Sequence, residues 1–176
     1  MKYAVKKFFF VAATVFLFVQ NGHAQQSEPQ FSKHAVYAEL FGQGILYSLN
    51  YDYRFRENMS VRAGFSSWSI NPLWLLMTGK LSFTGFPVTA NYLLGNGDHR
   101  LETGLGFMPA TITVEGNDIF FGAEIHEKET VVFGTATAAY RVQPEDGGFL
   151  FRIGLTPLFT FESIVLTGGI SLGYAF

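Results

Sequence analysis

The end of the chain alternates with a period of two. Leu166, Gly168, Ile170, Leu172, Tyr174 and Phe176 fall on one parity, and Thr167, Gly169, Ser171, Gly173 and Ala175 on the other. A period of two is the signature of a β-strand, whose successive side chains point to opposite faces. The same alternation recurs upstream. Tyr47, Leu49, Tyr51, Tyr53 and Phe55 oppose Ser48, Asn50, Asp52 and Arg54. Met59, Val61, Ala63 and Phe65 oppose Ser60, Arg62, Gly64 and Ser66, and Phe149, Phe151, Ile153 and Leu155 oppose Leu150, Arg152 and Gly154.

The two faces differ in a way that a water-soluble sheet does not explain. One is continuous, apolar and rich in aromatics; the other is small and polar with isolated charges. The chain is 17 % aromatic and only 15 % charged, against roughly 25 % charged in soluble domains. A barrel turned inside out for lipid accounts for both faces, with apolar side chains outward and polar ones in the lumen. A soluble sandwich or ligand-binding barrel would have to expose the Phe and Tyr surface to water.

The first residues read as an address. Lys2, Lys6 and Lys7 precede an apolar run from Phe8 to Val19, and Ala24 supplies a small residue for cleavage. The run is shorter than the roughly 20 residues of a spanning helix, so residues 1–24 are expected to be a secretory signal peptide. The expected mature chain has 152 residues, with 9 basic and 14 acidic side chains. Five of the 20 phenylalanines leave with the leader. Residues 25–33 then form a short tail and 34–176 the barrel. The absence of cysteine excludes a disulfide scaffold and a thiolate site. The acidic balance gives no footprint for nucleic acid.

Eight strands are expected, at about 35–43, 46–55, 59–67, 83–94, 100–108, 131–142, 148–157 and 164–176. Most have the length that a tilted crossing of a bilayer requires. The joints at 56–58, 95–99 and 143–148 are short and polar, while 67–82 and 109–130 read as long loops. A hairpin hidden in 109–130 would raise the count to ten. Short turns on one side and long loops on the other place the turns and both termini in the periplasm.

The closing segment resembles the C-terminal assembly signal of bacterial outer-membrane proteins, with Ile170, Leu172 and Tyr174 at alternate positions before Phe176. That resemblance implies recognition by the barrel-assembly machinery. The mature chain is similar to small OmpA-like or OmpX-like barrels. Stretches such as Tyr51-Asp52-Tyr53-Arg54-Phe55 and Gly147-Gly148-Phe149-Leu150-Phe151-Arg152 are similar to uncharacterised outer-membrane proteins of Bacteroidota. The resemblance implies a fold and an outer-membrane location in a Gram-negative bacterium, without the periplasmic domain of OmpA.

Parity sends Glu39, Asp52, Arg54, Arg62, Arg100, Glu102, Arg141 and Arg152 into the lumen. Buried charges must be paired, so a salt-bridged interior that shuts the barrel is the leading expectation. The arginine excess motivates the alternative of a narrow, anion-favouring channel. An outer-leaflet lipid enzyme is a further alternative, but His34 and His99 fall at the turn side. His126 lies in an acidic loop with no serine, so no catalytic, cofactor or metal site is assigned. The segment bearing Trp68, Ile70, Leu73, Trp74, Leu75, Leu76 and Met77 is the candidate contact surface, for a protein partner in an outer-membrane complex or for lipid.

Overall fold

A computed structural model describes residues 31–71, 78–117 and 124–176. The expected leader, most of the tail, and Leu73 to Met77 lie outside the described residues. The described chain is built of antiparallel strands: β1 (His34–Phe41), β2 (Tyr47–Arg56), β3 (Met59–Ile70), β4 (Thr78–Gly85), β5 (Val88–Leu94), β6 (His99–Asn117), β7 (Glu124–Val142), β8 (Gly148–Leu155), β9 (Leu158–Phe159), β10 (Ile164–Val165) and β11 (Gly168–Ala175).

These strands make eight staves of one closed ring. β4 and β5 are a single stave, since both pair with β3 on one side and β6 on the other. β8 and β9 likewise share β7, and β10 and β11 run back along them. β1 pairs with both β2 and β11, which closes the ring with no free edge at the seam. Two of the interruptions coincide with prolines, which cannot donate to a ladder. Their carbonyls still accept, from Gly64 N to Pro87 O at 2.8 Å and from Ala136 N to Pro157 O at 3.2 Å. The fold is therefore an up-and-down antiparallel barrel of eight staves, with no additional hairpin among the described residues.

Burial is inverted relative to a soluble protein. On β2, Ser48, Asn50, Asp52 and Arg54 are buried, while Leu49 is 62 % exposed and Tyr51, Tyr53 and Phe55 are also exposed. Leu105 on β6 is 69 % exposed. Such a surface is stable against hydrocarbon and not against water. At the turn end, Gly95 (φ 104°) and Gly97 (φ 73°) supply the left-handed backbone that the β5–β6 turn demands.

Two expected boundaries are corrected. The segment 109–130 is not a loop for most of its length. β6 and β7 are 19 residues each, and their ladder runs unbroken from His99↔Val142 to Asn117↔Glu124. Pro109 falls within this ladder, opposite Val132, and its carbonyl accepts from Phe86 N at 3.0 Å. Beyond it, Thr111, Ile112, Thr113 and Val114, residues that suit a pleated surface, face Thr130, Glu129, Lys128 and Glu127. Similarly, β3 continues to Ile70 and β4 begins at Thr78, so the expected loop 67–82 shrinks to its middle. A tilted crossing takes about 9–11 residues. The loop-end parts of β3, β4, β6 and β7 therefore exceed the length of a crossing and form a four-stranded sheet at the loop end, which is the outer side in the expected orientation.

Candidate functional site

Six of the eight inward charges form one chain of alternating sign. Arg62 Nη1 lies 3.7 Å from Glu39 Oε1, and Glu39 Oε1 lies 2.7 Å from Arg152 Nη1. Arg152 Nε continues to Glu102 Oε1 at 3.2 Å, and Glu102 Oε2 to Arg141 Nη1 at 3.2 Å. Arg141 ends the chain with two contacts to Asp52, at 3.2 and 3.3 Å. These side chains are at most 1 % exposed. They come from β3, β1, β8, β6, β7 and β2, so the chain ties together six staves. Three arginines and three carboxylates cancel within this chain, which leaves the arginine excess of the eight inward charges to Arg54 and Arg100.

The remaining two arginines sit at the turn end. Arg100 reaches Glu145 at 2.9 Å and Glu57 at 3.5 Å, with Gly97 O and Glu57 O as further acceptors. Arg54 forms no ion pair among the described residues. It donates to Glu57 O at 2.6 Å, and its guanidinium lies 4.7 Å from the centre of the Phe31 ring. Ser32 is tucked against the same mouth, donating from its backbone N to Glu145 O at 2.6 Å and accepting from Gln143 Nε2 at 2.9 Å.

Neutral side chains complete the charged layer. Ser48 donates to Glu39 at 3.2 Å, Ser60 to Asp52 at 3.1 Å, and Arg62 Nε to Thr89 at 3.2 Å. Tyr37 and Thr89 obey the inward parity, so the alternation contained them. Gln43 shares the parity of Glu39 within the expected strand 35–43, although β1 itself ends at Phe41. It belongs to the tight joint between β1 and β2 and is fully buried. Its Nε2 donates to Thr135 Oγ1 at 2.9 Å across the lumen, its Oε1 accepts from Arg62, and its backbone N donates to Glu39 at 3.3 Å. The joint holds Phe41 (φ 61°) and Ile45 (φ 69°) in the left-handed region. Such a conformation costs of order 1–3 kcal/mol for a non-glycine residue and persists only where its surroundings over-determine it.

Above the charges lies an apolar layer that the sequence reading did not anticipate. Phe83, Met108, Ala110 and Leu158 are buried together, with Ile45, Trp68, Ile112 and Phe133 packed against them. Trp68 is thereby corrected from an exposed loop aromatic to an inward-facing strand residue. It stacks on Phe83 with centroids 5.2 Å apart and donates from Nε1 to Gly44 O at 3.0 Å. Ile70 remains exposed at the end of β3. The lumen thus holds a neutral charged layer under an apolar one.

The ends of the barrel carry the other expected features. Ile170, Leu172 and Tyr174 point outward on β11. Phe176 exchanges backbone hydrogen bonds with His34, at 2.7 and 2.9 Å, and the two rings stack at 5.7 Å. His34 and His99 each contact a tyrosine hydroxyl at 2.6 Å, Tyr51 and Tyr140 respectively. His126 faces Glu115 at 3.7 Å in the outer sheet.

No known protein family matches the chain, and no curated protein matches it. Solved structures do. The N-terminal β-barrel domain of Pseudomonas aeruginosa OprF is 13 % identical, with a TM-score of 0.57 over 84 % of this chain and 98 % of that one. Ail, the attachment invasion locus protein of Yersinia pestis, is 17 % identical, with a TM-score of 0.53 over 82 % of this chain and 97 % of that one. At these identities the likeness is one of fold, and the fold is that of small outer-membrane β-barrels.

Proposed function

We propose that the protein is an integral outer-membrane barrel of a Gram-negative bacterium whose lumen is closed and whose work is done by its outer sheet and loops, as a structural or interaction protein. The observation that carries this reading is the neutral six-residue charge chain. Its members pair with one another and with the barrel wall, and of their polar atoms only Arg152 Nη2 lacks a hydrogen-bond partner among the described residues, so the charges are held in ion pairs rather than left open for an ion to follow. The apolar layer above would oppose the passage of any hydrated solute. The fold's likeness to OprF and Ail, the signal-peptide pattern and the inside-out burial together support the location, with both termini on the periplasmic side and membrane lipid around the staves. The terminal aromatic residue and its alternation support recognition by the barrel-assembly machinery. Among the described residues His126 meets a carboxylate, Glu115, and no hydroxyl, so no acyl-transfer pair of base and nucleophile is assigned there.

Affinity purification of the tagged protein from native membranes tests the interaction role. Stoichiometric recovery of a second protein, cross-linked to the outer sheet or loops, is expected. Recovery of the barrel alone, after cross-linking in whole cells, would contradict it.

A further inference from the structure

The outer sheet has a definite register. One row runs Trp68, Phe83, Ile112, Glu129 across β3, β4, β6 and β7, and the next runs Ile70, Leu81, Val114, Glu127. Both rows are apolar until they reach β7, where each ends in an exposed glutamate. On the other face, Glu115 stands opposite both Lys80 and His126, so the charges there are balanced. Glu127 and Glu129 form no ion pair among the described residues. Beyond them the sheet stops. β7 meets β9 only at Gly134 and Thr135 and β8 only from Ala138 onward, so residues 124–133 have no strand on their second side among the described residues. An open edge of this length, outside the bilayer, is a template for another strand.

A second copy of the chain fits this edge poorly. Antiparallel self-pairing about a two-fold axis normal to the sheet keeps each residue on its own face. The registers centred on residues 127 to 129 therefore oppose glutamate to glutamate, which is destabilising. We propose instead that the β7 edge accepts an extended segment of a partner protein with two basic residues at alternate positions, opposite Glu129 and Glu127. Two apolar residues, opposite Phe133 and Val131, would precede them. The segment would lie antiparallel to β7, its backbone completing the ladder and its cations neutralising the two row ends. This rests on the interaction role above and names the chemistry of the partner.

The test uses the folded protein in nanodiscs and a fluorescein-labelled peptide in which two valines and then two lysines alternate with threonine. A control peptide carries glutamate in place of both lysines. Anisotropy should show saturable binding of the basic peptide only. E127K/E129K should weaken that binding by about tenfold and gain the acidic peptide, as expected when two cross-strand charge pairs become repulsions. E127Q/E129Q, which keeps the shape of the edge, should weaken the basic peptide without gaining the acidic one. Failure of the basic peptide to bind, or equal binding to wild type and both variants, overturns the proposal. A partner recovered from native membranes but cross-linked away from β7 would overturn the edge assignment while leaving the interaction role intact.

Discussion

Glu39 and Arg152, 113 residues apart in the chain, meet at 2.7 Å with neither side chain exposed to solvent. Glu39 also receives Arg62, Ser48 and the backbone N of Gln43, which makes it the most connected acid of the lumen. Removing it leaves buried Arg62 without an ion pair and Arg152 with Glu102 alone. Glu39→Ala should cost about 3–5 kcal/mol, the penalty of an uncompensated buried charge. Urea titration in phospholipid vesicles, read by the heat-modifiable gel shift, measures it. A change below about 1 kcal/mol would mean that the chain is weakly coupled.

Gly42 tests the same acid from the backbone side. It sits at φ 40°, and a Cβ placed there would lie 2.3 Å from Glu39 Cδ. Gly42→Ala must push the carboxylate away from Arg152 and Arg62 while also straining the turn. A loss of at least about 2 kcal/mol is expected from the two effects together. The same titration should show it.

The apolar layer predicts its own variant. Trp68→Ala removes the ring stacked on Phe83 and the donor to Gly44 O. A loss of about 3 kcal/mol is expected, the low end for truncating a large aromatic side chain, because Trp68 is half-buried. Trp68→Phe should recover most of the packing and leave only the lost hydrogen bond, about 1 kcal/mol. If both variants behave as wild type, Trp68 is not part of a packed layer.

Deleting Phe176 removes a reciprocal pair of backbone hydrogen bonds with His34 and the stacked ring at the seam. The refolded barrel should lose about 1–3 kcal/mol, from two hydrogen bonds of about 1 kcal/mol each and an aromatic contact. Its yield in cells should fall much further if the residue also serves in assembly. Equal losses in both measurements would assign it a role in stability alone.

Much of the fold was legible because lipid demands strict alternation. The parity that set Tyr51 outward also set Asp52 and Arg62 inward, and the structure places all eight named charges there. What parity could not supply was partner identity. Whether Arg152 meets Glu39 or Asp52 depends on how far the staves are sheared past one another, a property of the closed ring. Nor could alternation separate the upper lumen from the outer loops. Trp68, Phe83 and Met108 share the inward parity of the charges, yet an apolar residue in an inside-out barrel reads as lipid-facing or loop-borne. The extension of β6 and β7 runs through Pro109, which breaks a ladder only where its missing N–H is needed. Gln43 lay on Glu39's parity in the expected strand 35–43, but β1 ends at Phe41, and alternation does not say which way a tight joint folds.

The central claim is that the lumen is shut, and ion conductance tests it most directly. The purified barrel inserted into a planar lipid bilayer in molar potassium chloride should give no current steps above the bare membrane. Reproducible steps with a preference for anions would contradict the account, because they would require a continuous aqueous path past Glu39, Arg152 and the apolar layer above them.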